Sequence, residues 1–396
     1  MLRDPKAKIG VAVSGGSDSM AALYLMVNTA PGQVAAVTVD HRLRTTSGDE
    51  ARQVAQVCAN LGVAHTTLEW DHGIITGNLQ DQARRARYRL IGDWARGQGI
   101  GDVVLGHTAD DQAETFLMGL AREAGLDGLS GMRREWVQGG VRFVRPFLAI
   151  PRADLRAYLR RRDVSWIDDP SNENADFTRV KARRVMQALE PLGISAAMLA
   201  GSAGHLAQAG QALDEVMWQA FQDFGEERAG GIAFARREFM RLPGEVSRRL
   251  VDRALRWVSS ADHGPRGPSL MRAAAVMMEG RDLTLHGCRV RIGEDIIRIT
   301  REPKAVAGVT SPTGDVWDGR WQMEGPHAPG LEVRALGAEG LRACKDWRAT
   351  GLSRDVLIVT PAIWRGDTLI AAPSAGKSAG WAATVTAAFG LFAVSH

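Results

Sequence analysis

Short apolar runs and amphipathic stretches alternate along the first half of the chain. Strand-like runs fall at Ile9–Val13, Val34–Val39, Ala64–Leu68 and Val103–Leu105. Between them, 3.6-residue periodicity predicts helices over Ser19–Asn28, Asp49–Leu61 and Asp81–Arg96. This alternation predicts an α/β domain with a parallel sheet wrapped by helices. Further helices are expected at Asp110–Arg122 and Pro151–Arg162, the latter with proline at its first position. In such a fold the site lies at the carboxyl ends of the strands, where the loops Ser14–Ser19, Asp40–Arg44 and Gly106–Asp111 converge. From about Pro191 the pattern turns to Ala-, Leu- and Arg-rich helix, through Gly201–Phe224 and Pro243–Val258, and ends in an alternating hairpin, Thr284–Ile299. After Pro303 the chain is rich in Gly, Trp and Pro, with short strands expected at Val356–Val359 and Thr368–Ala371. The expected division is 1–195, 196–302 and 303–396: a parallel-sheet domain, a helical middle domain and a small C-terminal α+β domain.

The turn Ser14-Gly15-Gly16-Ser17-Asp18-Ser19 joins the first strand to the first helix. Adjacent glycines let backbone amides face one point, and a helix N-terminus adds positive dipole, so an anion is stabilised there. A pyrophosphate fits such a nest. No lysine follows the glycines, as in the loop ending Gly-Lys-Ser/Thr, and the three spaced glycines of the dinucleotide fingerprint are absent.

The chain has 396 residues, 45% hydrophobic and 24% charged, which suits two or three domains with real cores and excludes disordered and fibrous classes. Its formal charge is +4 and its pI about 9.2, carried by arginine because only six lysines are present. Arginine makes forked contacts to phosphate, although a GC-rich coding sequence gives the same composition. Cys58, Cys288 and Cys344 are too dispersed for a disulfide framework or a paired-cysteine motif. The early first strand leaves no room for a signal peptide, and no apolar run approaches the roughly 20 residues of a membrane span. A cytoplasmic protein is expected.

Gly106-His-Thr-Ala-Asp-Asp-Gln-Ala-Glu-Thr115 leaves the fourth strand and enters a helix. Asp111 and Glu114 are three apart and share a face. Arg122 follows eleven residues after Asp111, about 20° around an ideal helix and roughly 16 Å along it. Two such acids near a triphosphate can hold magnesium or orient a cationic nucleophile. Asp110 reads instead as complementing the helix dipole. In Gln80–Leu90, Arg87 falls on the apolar stripe of Ala83, Ala86 and Leu90 and requires an anion, either an internal carboxylate or a phosphate. Arg84, Arg85 and Arg89 read as surface contacts. His41 and His107 border the same loops, in catalytic or structural roles. The basic stretches Arg156–Arg162 and Arg179–Arg184 suit a phosphate-tracking surface or a solvated helix face.

Seven segments in order, Ser14–Ser19, Val39–Arg44, Ala83–Tyr88, Leu105–Thr115, Gly125–Leu129, Arg145–Phe147 and Trp166–Asn172, resemble the bacterial tRNA(Ile)-lysidine synthetases, a branch of the PP-loop ATP pyrophosphatases. The resemblance covers about 180 residues and fades past residue 200. It implies a carbon–nitrogen ligase for tRNA modification: ATP adenylates the wobble cytidine of an isoleucine tRNA with a CAU anticodon, and free L-lysine displaces AMP to give lysidine. It assigns ATP to Ser14, Gly15, Gly16, Ser17, Asp18 and Ser19, and Mg2+ to Asp18 and Asp111. Asp40, Asp111, Glu114 and Arg122 become catalytic candidates, and Arg84, Arg87, Arg179 and Arg183 contacts to tRNA. The alternatives are a PP-loop tRNA thiolase, which generally needs paired or cluster-binding cysteines, and a non-catalytic tRNA-binding module. Two departures stand out: Glu123 where the family has glycine, and Arg179-Val-Lys-Ala-Arg183 where it has an asparagine after the first arginine. Trp347 and Trp364, with Arg348 and Arg365 adjacent, read as RNA-stacking or core residues. Oligomeric state is left open, a homodimer included.

Overall fold

The computed structural model describes residues 7–43, 46–73, 77, 79–168 and 178–395; Arg44 and the motif residues 169–172 lie outside them. The chain divides into two compact units, Met1–Gly210 and Gln211–His396.

The first unit runs β1 (Ile9–Ala12), α1 (Ser17–Thr29), β2 (Val34–Asp40), α2 (Ser47–Asn60), β3 (Ala64–Glu69), α3 (Leu79–Gly97), β4 (Asp102–Val104) and α4 (Ala109–Leu120). There follow α5 (Leu126–Leu129), β5 (Glu135–Gln138), β6 (Val141–Val144), α6 (Arg152–Arg160), α7 (Thr178–Leu189) and the start of α8 (Ala196–Phe224). The sheet order is β3-β2-β1-β4-β6-β5, parallel except for the terminal hairpin β5–β6. The strand order reverses between β1 and β4, which opens a crevice at their carboxyl ends.

Both faces of this sheet are covered, so its strands read as continuous apolar runs. On one face Ile9, Val11 and Val104 pack with Met20 and Leu23 of α1, Val54 of α2, and Leu155 and Leu159 of α6. On the other, Val37, Val103 and Phe143 pack with Tyr88, Ile91 and Trp94 of α3. Leu23 and Leu159 are fully buried, and each such side chain stabilises the unit by about 1.5–3 kcal/mol.

Three details differ from the sequence pattern. Helix α4 stops at Leu120 rather than Arg122, because Glu123 takes a left-handed backbone with φ of 52°. Pro151 precedes α6 as its cap rather than opening it. The hairpin β5–β6 carries no clear signal in the sequence; its Arg142 forms a buried two-pronged ion pair with Asp102 at 2.7 and 2.8 Å.

In the second unit, β7 (Gly225–Arg228), β8 (Gly231–Ala235), α9 (Arg236–Phe239), α10 (Gly244–Ser259), α11 (Gly267–Met278), β9 (Leu283–Leu285), β10 (Cys288–Ile292) and β11 (Ile296–Arg301) build a sheet ordered β7-β8-β11-β10-β9. The expected hairpin is thus part of a five-stranded sheet. Val246, Leu250, Ala254 and Leu255 form the α10 stripe that packs on Ile232, Val290, Ile297 and Ile299. Next come α12 (Pro303–Val306), β12 (Ser311–Pro312), β13 (Trp321–Glu324), β14 (Glu332–Ala335), α13 (Gly337–Arg342), α14 (Arg354–Leu357), β15 (Pro361–Arg365), β16 (Thr368–Ala371) and β17 (Ala382–Val385). They form the sheets β12-β14-β15-β16 and β13-β17. The strand expected at Val356–Val359 is instead the end of α14 and the turn after it. The last helix, α15 (Phe389–Ser395), returns to the α10 core through Phe389.

Candidate active site

Loop geometry at the crevice follows from two glycines. Gly15 has φ of 86°, and a Cβ there would lie 2.6 Å from Ile167 Cδ1. A Cβ on Gly106 would lie 2.7 Å from the Asp18 carbonyl oxygen, so only glycine lets the β4–α4 loop touch the first turn of α1. That approach carries Asp18 toward Asp111.

In the Ser14–Ser19 turn, Ser14 N–H donates to Ser19 Oγ at 3.0 Å, and Ser19 Oγ–H donates to the Gly16 carbonyl at 3.0 Å. Ser17 Oγ donates to Asp18 Oδ1 at 3.0 Å. These bonds fix a turn followed directly by α1, whose first-turn amides have no intrahelical acceptor. Such amides together with the dipole suit a phosphate.

Asp18, Asp111 and Glu114 converge on one guanidinium, that of Arg152 at the start of α6. Its Nε donates to Asp18 Oδ2 at 2.8 Å, one Nη donates to Asp111 Oδ1 at 3.1 Å, and the other lies 3.8 Å from Glu114 Oε1. Its backbone N–H donates to Asp110 Oδ2 at 2.7 Å, so Asp110 holds the start of α6 as well as complementing the α4 dipole. Asp111 Oδ2 closes a capping box by accepting from Thr108 N and Oγ1 at 2.8 and 2.9 Å. Burial pushes the Asp111 carboxyl up, but Arg152 and the Thr108 donors outweigh it and hold it below the usual range. Burial wins at Asp18 and at Glu114, whose carboxyls are both raised. Glu114 is fully buried; Arg183 Nε donates to its Oε1 at 2.6 Å, while its Oε2 has no partner among the described residues. A buried carboxylate oxygen left unpaired is costly and marks a place for a donor.

Three further arginines lie within electrostatic reach of one another, and two of them, Arg84 and Arg179, also act on His107. Arg84, on α3, sits over the Tyr88 ring at 5.4 Å. Arg87 finds no carboxylate among the described residues: its Nε and one Nη both donate to His41 Nε2 at 3.3 Å. Because a guanidinium only donates, His41 carries its proton on Nδ1, which is buried without a partner among the described residues. Burial, then the Arg87 charge, lowers His41 to about 4. Arg179 is exposed on α7 and acts electrostatically on both Arg87 and His107. Asp40, at the end of β2, accepts from Arg42 N–H at 2.8 Å. Although burial opposes it, this bond and one from Ser47 keep Asp40 low.

Arg122 is not brought into the cluster. Since α4 ends at Leu120, extrapolating a helical face to residue 122 fails, and the exposed side chain folds back so that Nε donates to the Met118 carbonyl at 2.9 Å. Sequence reasoning misses Arg152, which links the acids; Arg156, read there only as the start of a basic stretch, reaches the turn, where its Nε donates to Ser17 Oγ at 3.2 Å. Arg156 also pairs with Asp168. Proline just before a basic helix start is the available signal. The outer basic residues are partly spent locally, Arg160 over Trp166 and Arg162 over Tyr158. In the second unit Trp347 and Trp364 pack against a small core while Arg348 and Arg334, rather than Arg365, cover their faces.

Magnesium binds through one or two carboxylates plus phosphate oxygens. Among the described residues no group of three or more His, Cys, Asp or Glu forms a metal cage. Asp18 and Asp111, already meeting at one cation, fit Mg2+ only in company with phosphates.

The PP-loop domain family matches residues 2–189. The chain is 44% identical over 382 residues to a tRNA(Ile)-lysidine synthase of Ruegeria pomeroyi, covering 96% of this chain and 91% of that one. It is 38% identical over 308 residues to the Novosphingobium aromaticivorans tRNA(Ile)-lysidine synthase, with 76% and 91% covered. Against that of Brucella suis the identity is 32% over 390 residues, with 91% and 85% covered. Among solved structures, a U34-tRNA thiolase from Methanococcus maripaludis aligns with 51% of this chain and 72% of its own at a TM-score of 0.45 and 16% identity. With a glycine-built turn set against a buried carboxylate cluster and similarity of this degree over most of both chains, the chain belongs to the tRNA(Ile)-lysidine synthase family of PP-loop proteins.

Proposed function

We propose that this protein ligates free L-lysine to the wobble cytidine of a CAU-anticodon isoleucine tRNA, consuming ATP and releasing AMP and pyrophosphate. In the first step cytidine O2 attacks the α-phosphorus, the bond to the β-phosphate breaks, and pyrophosphate leaves with the electron pair. In the second the lysine side-chain nitrogen attacks C2, the C–O bond breaks, AMP leaves, and the amine loses a proton to solvent. The observation that carries the reading is the placement of the Ser14–Ser19 turn against Asp18, Asp111 and Glu114, in a chain of this family.

The roles follow from chemistry. Ser14, Gly15, Gly16, Ser17 and Ser19 would cradle the phosphates that separate in the first step. Asp18 and Asp111 would hold Mg2+, which supplies charge neutralisation on those phosphates. Glu114 Oε2, buried and unpaired among the described residues, is the best acceptor for a lysine ammonium. Asp40 would orient the base or the amine. Arg84, Arg87, Arg179 and Arg183 would meet phosphate or base, and exposed Arg122 the tRNA backbone. The segments 196–302 and 303–396 would grip the body of the tRNA.

The thiolase alternative is not favoured. The relatives are lysidine synthases, and Cys58, Cys288 and Cys344 are each buried in a different apolar cluster. The test is incubation with Mg2+, ATP, radiolabelled lysine and either isoleucine tRNA with a CAU anticodon or the elongator methionine tRNA. Label in the isoleucine tRNA alone, with equimolar AMP, is expected. AMP release without label would move the search to another nucleophile.

A further inference from the structure

Arg145, just beyond β6, is 3% exposed and is bonded to no carboxylate among the described residues. A guanidinium so buried is costly unless every donor is used. One Nη donates to the Arg133 carbonyl at 2.7 Å, the other to the Tyr88 hydroxyl at 3.2 Å, and the group stacks on the Trp136 ring at 4.1 Å. Its Nε donates to His107 Nδ1 at 3.2 Å. Tyr88, Trp136 and Phe143 pack edge-on or stacked against one another, which fixes the ring face and the hydroxyl that hold the guanidinium.

This bond has one chemical reading. Arginine has no acceptor, so Nδ1 must offer its lone pair and the proton of the neutral ring sits on Nε2. His107 is partly exposed in the β4–α4 loop, four residues before Asp111, and Nε2 has no partner among the described residues. The charged groups that face it are Arg145 beyond β6, Asp111 on α4, Arg179 on α7 and Arg84 on α3. Three cations against one anion disfavour a fourth positive charge and favour an anionic ligand. Burial, then Arg145, lowers the imidazole to about 3. A base whose conjugate acid is that strong accepts protons poorly near neutral pH. The ring is built to donate.

We propose that His107 serves the reaction as a neutral, fixed hydrogen-bond donor through Nε2 to an anionic phosphate oxygen, and that Arg145 is the positioning residue that sets its tautomer and orientation. The phosphate belongs either to ATP or to the tRNA backbone. The inference rests on the function proposed above for the identity of the substrates, but not for the state of the ring.

Nitrogen-15 NMR of histidine-labelled protein reads that state directly, with the His107 signals assigned by their loss in His107→Gln. Expected is an unprotonated Nδ1 and a protonated Nε2, unchanged as pH falls from about 8 to about 5. A proton on Nδ1, or titration in that range, would overturn the proposal. In Arg145→Leu the His107 signals should titrate at higher pH than in the wild type; identical behaviour removes Arg145 from its role. Kinetics then locate the acceptor. His107→Ala should lose on the order of a hundredfold in kcat/KM, while His107→Gln, which keeps an N–H, should stay within about tenfold of wild type. Equal loss in both variants would contradict donation. A rise confined to the KM for ATP identifies the nucleotide, and one confined to tRNA identifies the backbone. The NMR result stands whether or not lysine is the nucleophile, so failure of the donor proposal and failure of the proposed reaction are separable.

Discussion

Replacing Arg152 with methionine keeps the aliphatic length and deletes the charge that ties α6 to α1 and α4. Wild-type Arg152 is 18% exposed and lies 2.8, 3.1 and 3.8 Å from Asp18, Asp111 and Glu114. Breaking a buried pair by removing one partner costs about 3–5 kcal/mol, and partial exposure places this site at the low end, about 3 kcal/mol. The sign of the pH effect follows from proton counting. In the wild type Asp111 is held low, so its contribution is present above the unfolded value and lost as pH falls through the folded one. Asp18 and Glu114 are raised, so their ionisation costs stability that is recovered as pH falls through their folded values. Without Arg152 all three folded values move up, and the native variant binds protons more readily than its unfolded chain. The deficit should therefore be largest near neutral pH and shrink toward pH of about 4 to 5. Hydrogen exchange read on peptides from 109–120 reports local opening without assuming a single unfolding step. Protection in the variant should fall roughly a hundredfold near neutral pH and recover partly in acid. A deficit equal at both pH values, or larger in acid, would show that Arg152 is not held by the three ionised carboxylates.

Other consequences are open to test. Asp111→Ala should abolish lysidine formation while leaving tRNA affinity within about twofold; full turnover would remove it from the site. Glu114→Gln should permit adenylation and slow lysine transfer at least about tenfold, seen as AMP–tRNA that accumulates in rapid quench. Gly106→Ala would press a methyl group to 2.7 Å from the Asp18 carbonyl and should cost about 1–3 kcal/mol, checked by melting temperature. Substituting Arg160, Arg161 and Arg162 with alanine should weaken tRNA binding and flatten its salt dependence by about 0.9 for each phosphate these side chains neutralise; an unchanged slope would demote this stretch to ordinary surface.

What the sequence makes legible, and what it hides, has a physical pattern. The alternation of runs is enough for β1 to β4 and α1 to α4, because strands buried on both faces and helices with one apolar stripe carry their signal locally. Asp111 and Glu114 are readable because a three-residue spacing fixes a shared helical face. Arg152 is hidden because its partners lie 134 and 41 residues away and only the sheet order brings them together. Arg122 misleads because the face argument continues past a helix end that Glu123 makes, with a left-handed backbone that the sequence signals weakly. The stripe position of Arg87 calls for an anion, but the structure gives it a neutral imidazole, leaving its charge available to a substrate. Val356–Val359 looks like a strand by its β-branched content, yet Val356 and Leu357 turn their N–H groups back to the Ser353 carbonyl at 3.1 Å and belong to a short helix instead.

The most direct measurement uses ATP labelled at the α-phosphate, tRNA(Ile) with a CAU anticodon, and no lysine. Radiolabel bound to the tRNA as an adenylate is expected, released as free AMP when lysine is added, with one lysidine formed per AMP. Absence of label on the tRNA, with lysidine still produced when lysine is present, would contradict adenylation of the base as a separate step.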